Sequence, residues 1–404
     1  MDDKKLHTPD GVRDILPCEM AYKRAVENRI ESVFAGFGYR PVASPAFEYA
    51  DVFTQKGTFD PEVPAAESQM IKFLDNHGHL LALRVDMTLA IARLVSTRCA
   101  DMPMPLRFSY VTDVFRQREN FQGKQKQVTQ AGIELIGESS NFAAAEIIAA
   151  AARSVMAAGL DNFRVDISSV KFFRAALSES GLNAKNAGML QASILNKDYV
   201  SVEKILADAS APAGNSRIKQ LFSEMPLLSG KTDTLEYARN FVKSDEALSA
   251  LDRLEDICDI LACYGLEERV DCDLSLIGNL DYYNDIILKG YVQDTASYII
   301  NGGQYDNLYA CFGQPRPAVG AAVDVDLLVS ALKNKGVTYG ERESIVVAYS
   351  HSNAREALRT ADELRASGEI VETCFFGDDL EALKRYAGGR KILYYTAEKK
   401  GTIL

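Results

Sequence analysis

The chain has 404 residues, enough for a full hydrophobic core together with one or two smaller domains. A net charge of −11 and a pI of about 5.1 exclude a global field that draws it to nucleic acid, leaving that role only to a local basic patch. Seven cysteines without a Cys-x-x-Cys spacing and only four histidines argue against a zinc site or another metal centre, and the odd thiol count fits a reducing cytoplasm.

The first residues contain no apolar core of a secretion signal. Pro9 to Pro17 reads as a loop, followed by a helix to about Phe37 whose Val26, Ile30, Val33 and Phe37 share a face and which Gly36 and Gly38 end. Tyr39 to Phe53 reads as a proline-edged strand and a turn. Met70 to Asp75 and His79 to Leu83 form a predicted hairpin, in which Asp75-Asn76-His77-Gly78 suits a tight turn better than His77 and His79 suit a ligand pair. A helix from about Met87 to Arg98 begins beside Asp86 and Thr88, an acid and a hydroxyl able to satisfy free backbone N–H groups.

Leu106 to Phe115 and Val128 to Ile136 are rich in β-favouring residues, with a polar loop from Arg116 to Gln127 between them, so an antiparallel hairpin is expected. The loop carries Arg116, Arg118, Lys124 and Lys126. Alternation puts Gln130, Gly132 and Glu134 on one face of the returning strand and Thr129, Ala131, Ile133 and Leu135 on the other. A carboxylate in a sheet interior is paired or else neutralised, and the gap over Gly132 offers a seat for a small cationic group such as an amino-acid ammonium. The alternative is a strand whose Gln130 and Glu134 meet only water.

Phe142 to Leu160 is alanine-rich and broken by Glu146 and Arg153, which suits a buried amphipathic helix rather than a membrane span. A strand from Phe163 to Ser169 follows, and Lys171 to Gly265 is almost purely helical, an inserted module with no phosphate loop or metal spacing. Its role is either packing or partner contact. Val270 to Leu276 and Ser297 to Asn301 read as strands, the second running into Gly302-Gly303-Gln304-Tyr305-Asp306. The double glycine opens no helix, which makes it weak evidence for phosphate binding. A helix is expected from about Ala318 to Lys333, then a linker from Lys335 to Gly340. Residues 344 to 396 alternate strand and helix as a small α/β unit. The predicted domains are 1–170 with 266–334 as the core, 171–265 as the insert, and 341–404 as the C-terminal unit.

These motifs resemble the class II aminoacyl-tRNA synthetases, in particular the histidyl-tRNA synthetase branch. Phe115-Arg116 and Gln130-Ala131-Gly132-Ile133-Glu134 are similar to the two ends of motif 2. Gly11-Val12-Arg13-Asp14-Ile15-Leu16-Pro17-Cys18-Glu19 resembles the family's opening, Tyr39 to Phe53 resembles motif 1, and Arg84-Val85-Asp86-Met87-Thr88 resembles its RPExT element. Leu280-Asp281-Tyr282-Tyr283 and the Gly302 to Asp306 run resemble the two elements bordering the histidine pocket. The resemblance implies an α/β (α+β) fold with an antiparallel sheet flanked by helices, a two-fold self-dimer through motif 1, and a C-terminal unit that is a shortened anticodon-binding-like domain. It also implies a histidine site of Asp86, Thr88, Arg116, Gln130, Glu134, Tyr282, Tyr283 and Tyr305. Asp281 and Tyr283 share a strand face, which favours Tyr283 over Tyr282 as the pocket residue.

The departures from the family lie where it binds ATP. Amino-acid activation adds negative charge that arginines stabilise. Gly278 stands where one such arginine belongs, and in Asp324-Val325-Asp326-Leu327 leucine replaces a second while an aspartate replaces a glycine. Arg118 replaces the motif 2 acid, and Gln304 replaces another arginine. Loss of one preorganised charge partner typically costs about 10²- to 10³-fold in rate. A chain that keeps the amino-acid pocket and loses the nucleotide site resembles the ATP phosphoribosyltransferase regulatory subunits. The expectation is a non-catalytic, cytoplasmic subunit with no catalytic residues, cofactor, nucleic acid or membrane contact. It binds L-histidine and supports both activity and feedback inhibition of a short-form catalytic subunit in a hetero-oligomer. The alternatives are a divergent histidyl-tRNA synthetase and a synthetase-like tRNA sensor.

Overall fold

The computed structural model describes residues 4–54, 70–117, 125–208, 216–277, 283–292, 297–340, 343–375, 379–396 and 401–403. The chain divides into two compact units, Met1–Val337 and Thr338–Leu404.

Helix α1 (Pro17–Gly36) opens with proline at its first turn, where a missing N–H costs nothing, and buries Val26, Ile30 and Phe34. Gly38 follows with φ +83°, the left-handed geometry that turns the chain out of the helix. Strands β1 (Arg40–Pro41), β2 (Phe47–Tyr49), β3 (Lys72–Leu74) and β4 (Leu80–Leu83) come next, with β2-β4-β3 forming a small sheet of their own. Asp75 caps the β3–β4 turn by accepting from the His77 and His79 amides, each at 2.8 Å.

Helix α2 (Thr88–Arg98) leads to the long hairpin β5 (Leu106–Phe115) and β6 (Gln127–Ile136), paired from Leu106 opposite Ile136 to Phe115 opposite Gln127. Helix α3 (Asn141–Ala157) is capped by Ser140, which accepts from the Ala143 amide at 3.3 Å. Alanine on most of its faces lets it lie close against the sheet.

Strand β7 (Arg164–Ser169) introduces the helical stretch: α4 (Val170–Glu179), α5 (Ala184–Leu195), α6 (Tyr199–Asp208), α7 (Ser216–Glu224), a short β8 (Ser229–Gly230), α8 (Asp233–Arg239) and α9 (Asp245–Cys263). Strands β9 (Val270–Asp273), β10 (Ile286–Tyr291), β11 (Ile300–Gln304) and β12 (Ala318–Asp324) return the chain to the sheet, and α10 (Val325–Asn334) closes it. The main sheet has the order β1-β5-β6-β12-β11-β10-β7-β9-β8 and is mostly antiparallel; β1 pairs parallel to β5 and β7 parallel to β9. The arrangement is the expected α/β (α+β) one, a largely antiparallel sheet flanked by helices.

Two expectations change. Ala318 to Asp324 is a strand, not the first half of a helix, because it fills the slot between β6 and β11. Gly320 within it leaves room for the neighbouring strand's Glu134, whose Oε2 would lie 1.8 Å from a Cβ there. Asp324 ends the strand and caps α10, accepting from the Leu327 amide at 2.9 Å. Strand β10, absent from the sequence-based elements, joins β7 to β11.

In the C-terminal unit, β13 (Ile345–Tyr349) lies between the parallel strands β14 (Val371–Phe375) and β15 (Ile392–Tyr395), with β16 (Thr402–Ile403) antiparallel at the edge. Helices α11 (Ala354–Ala366) and α12 (Leu380–Ala387) connect them. Ile345 and Val347 pack into one apolar cluster and Val346 and Ala348 into another, the alternation of a strand covered on both faces.

Candidate functional site

Directly paired residues share a sheet face, so the registers place Gly132 beside Ala322, Ala322 beside Asn301, Glu134 beside Gly320, and Gly320 beside Gly303. Over this floor opens a cleft with about 380 Å³ of empty space, including solvent at its mouth. Among the described residues it is lined by Asp86, Thr88, Tyr110, Arg116, Gln130, Glu134, Tyr283, Asn301 and Tyr305, with Met87 and the small residues Gly320, Ala321 and Ala322. The sequence-predicted residues Asp86, Thr88, Arg116, Gln130, Glu134, Tyr283 and Tyr305 therefore come together. Tyr282 lies outside the described residues, as do Arg118, Gly278 and Asn279.

Glu134 sits at the base of the cleft, 1 % exposed. Thr88 Oγ1 donates to its Oε1 at 2.8 Å, and the Tyr305 hydroxyl donates to its Oε2. Burial pushes the Glu134 carboxyl well above the usual carboxylate range, the Thr88 hydrogen bond opposes that shift, and the Asp86 charge adds to it. The Tyr110 hydroxyl is likewise held neutral, by burial first and then by Glu134 and Asp86. A cation placed against Glu134 would favour the ionised form that burial alone disfavours.

Three glycines make this possible. A Cβ at Gly320 would lie 1.8 Å from Glu134 Oε2, one at Gly303 would lie 2.8 Å from the Tyr283 ring, and one at Gly132 would lie 2.4 Å from the Tyr110 ring. The space over Gly132 is therefore filled by tyrosine and is not an open seat for a cation. Its place in the design is to admit Tyr110 from the neighbouring strand. The glycine that seats the acid is Gly320, visible only once β12 is known to pair with β6.

The segment around Asp86 is stitched to the hairpin. Buried Arg84 donates from Nε to the Asp113 carbonyl at 2.6 Å, from Nη1 to the Ser44 carbonyl at 2.8 Å, and from Nη2 to the Thr112 hydroxyl. Arg116 Nε donates to the Val85 carbonyl at 2.9 Å. Asp86 Oδ1 accepts from the Leu89 amide at 3.3 Å, an N-terminal bond of α2, whereas the Thr88 hydroxyl turns to Glu134 and caps nothing. Sequence reasoning missed Arg84, Tyr110, Asn301 and Gly320. Arg84 and Tyr110 sit in recognisable motifs, but their roles depend on cross-strand neighbours.

Position 304 also differs from expectation. Gln304 does not line the cleft: its Oε1 accepts from Arg253 Nη2 at 2.9 Å and its Nε2 donates to Asp306 at 2.5 Å. Arg253 of α9 also donates to Asp285 and, at 2.7 Å, to the Ser139 carbonyl. A change at 304 thus bears on this buried network and leaves the charge lining the cleft unchanged. Asp326, in the first turn of α10, pairs with Lys23 at 2.6 Å and accepts from the Thr129 amide at 2.7 Å.

The histidyl-tRNA synthetase family matches residues 11–328. An ATP phosphoribosyltransferase regulatory subunit of Acetivibrio thermocellus is 34% identical over 388 residues, covering 96% of this chain and 91% of the relative. One of Clostridium kluyveri is 33% identical over 396 residues, covering 98% and 99%. A crystal structure described as an ATP phosphoribosyltransferase regulatory subunit/histidyl-tRNA synthetase from Bacillus halodurans superposes with a TM-score of 0.85 at 28% identity, over 96% of this chain and 97% of that one. With a third of its residues identical to those of relatives it matches over nearly their full length, the chain belongs to the ATP phosphoribosyltransferase regulatory subunit family, built on the histidyl-tRNA synthetase fold.

Proposed function

We propose that this chain binds L-histidine in the cleft over Glu134 and transmits that occupancy to a short-form ATP phosphoribosyltransferase catalytic subunit, itself catalysing nothing. The observation that carries the reading is an asymmetry of charge. The described lining offers the carboxyls of Asp86 and Glu134 and the hydroxyls of Thr88, Tyr283 and Tyr305, with Arg116 as its one basic side chain. Carboxyls and hydroxyls suit an ammonium and an imidazole; a triphosphate needs several cations. Synthetase activity is accordingly read as lost, with Leu327 and the acid Asp324 at the start of α10 where the family carries an arginine and a glycine.

Feedback inhibition then requires that histidine bind one state of the hetero-oligomer more tightly, and a coupling of about 1–3 kcal/mol shifts activity roughly 5- to 150-fold. A self-dimer is supported by the small sheet, where Phe47, Tyr49 and Phe73 are exposed on one face. Seven free cysteines support a cytoplasmic setting. Residues 171–265 are read as an inserted helical module and 341–404 as a shortened anticodon-binding-like unit.

Co-expression with a short-form catalytic subunit tests the proposal. Phosphoribosyl transfer should require this chain and fall when histidine is added. Histidine-dependent exchange of pyrophosphate into ATP by this chain alone would overturn the reading in favour of a synthetase. Transfer that needs this chain but ignores histidine would overturn the sensing role.

A further inference from the structure

Away from the cleft, two thiols lie against each other. Cys258 projects from α9 and Cys272 from β9, with their Sγ atoms 3.6 Å apart. Cys272 is fully buried in the sheet, while Cys258 is partly open to solvent. The two are unequal. The hydrogen bond with Cys272 holds the Cys258 thiol below its ordinary range, and the same bond together with burial pushes Cys272 up. A low-lying, accessible thiol in front of a buried one is the arrangement of a redox-active pair, the first attacking and the second resolving.

We propose that Cys258 and Cys272 are a reversible dithiol–disulfide site, oxidised by a hydroperoxide. The Cys258 thiolate attacks one peroxide oxygen, the O–O bond breaks, and the departing oxygen takes up a proton to leave as water or an alcohol. Cys258 is then a sulfenic acid. The Cys272 sulfur displaces its hydroxyl, which leaves as water carrying the Cys272 proton. Two thiols have lost two electrons, and the peroxide has gained them. The Sγ atoms close from 3.6 Å to a bond of about 2 Å. A dithiol reductant reverses the step by exchange.

The bond would staple α9 to the sheet. Five residues earlier the same helix carries Arg253, which holds Asp285 and Gln304 at the ends of strands β10 and β11. The site stands independently of what fills the cleft.

The test uses the full-length protein, reduced, freed of reductant and treated with a small excess of hydrogen peroxide. Remaining thiols are alkylated and the digest is mapped without reduction. A peptide linking Cys258 to Cys272 is expected; it should vanish with dithiothreitol, be lost in Cys258→Ser, and persist in Cys263→Ser, which removes the exposed thiol on the same helix. Alkylation of the native sequence before and after peroxide reads the same event without any variant. The proposal is overturned if Cys258 and Cys272 stay alkylatable while other cysteines oxidise, if Cys258 proceeds to a sulfinic acid with no link, or if the link runs through Cys263.

Discussion

Glu134 occupies the volume that any side chain at position 320 would need: a Cβ there would stand 1.8 Å from Glu134 Oε2. The acid's place over the sheet is therefore set by the absence of atoms on the adjacent strand as much as by its own partners, Thr88 and Tyr305.

Gly320→Ala should expel or twist the Glu134 carboxyl. We expect a loss of histidine affinity of more than about 10-fold, with destabilisation of about 1–3 kcal/mol from overpacking. Gly36→Ala is the control, since nothing lies within 4 Å of a Cβ there. Isothermal titration and thermal melts of both variants decide it; unchanged binding in Gly320→Ala would show that the carboxyl's position does not matter.

Thr88→Val keeps the shape of the side chain and removes its donor to buried Glu134. Loss of a hydrogen bond to a buried acid costs about 1–3 kcal/mol, and Thr88→Ser should recover most of it. Denaturant midpoints of the three proteins give the comparison. A Thr88→Val midpoint equal to the parent's would show that the hydroxyl's bond to Glu134 contributes nothing.

The sign of Asp166's contribution to the pH dependence follows from its raised carboxyl. Asp166 is 8 % exposed, and its Oδ1 has no hydrogen-bond partner among the described residues. Burial, then the charges of Asp273 and Asp271, push its carboxyl up to about 7, against a hydrogen bond from Tyr291. The folded state therefore holds a proton at Asp166 that the unfolded chain releases near pH 4, and the stability this group contributes falls as pH rises from there through about 7. Glu134 acts in the same sense. Asp166→Asn should melt higher than the parent at pH 8, by up to about 4 kcal/mol of stability, and show little gain at pH 4. A gain confined to acid pH would contradict the assignment.

Arg253→Met should be among the most damaging changes outside the cleft. It leaves Asp285, 1 % exposed, with Lys171 at 2.8 Å and the Ser169 hydroxyl as its remaining partners. Stranding a buried charge costs about 3–5 kcal/mol, and the surviving Lys171 pair puts the expected value at the lower end. Chemical denaturation measures it, and a change below about 1 kcal/mol would mean that Lys171 alone satisfies the acid.

The elements legible in the sequence are those whose pattern is local. The β5–β6 hairpin announces itself through alternation and a polar loop, and the faces of Gln130 and Glu134 follow from counting by two. Ala318 to Asp324 misleads because its Gly320 answers to Glu134 on the next strand, a constraint that a window of neighbouring residues does not contain. The same holds for Gly132, whose open-looking position is closed by Tyr110 across the ladder, and for Gln304, whose partner Arg253 comes from the helical stretch 51 residues earlier. Motif spacing found the residues around the cleft; cross-strand register decided what each one does.

The start of α10 carries one more consequence. A helix N-terminus facing outward is a ready receptor for phosphate, but here the Asp324 carboxyl already sits on the Leu327 amide, and Asp326 adds a second acid in the same turn. The receptor is plugged from within. On the proposed reading, an arginine introduced at position 327 alone sets a cation beside an occupied socket, and nucleotide binding is expected only where the plug at 324 is drawn as well.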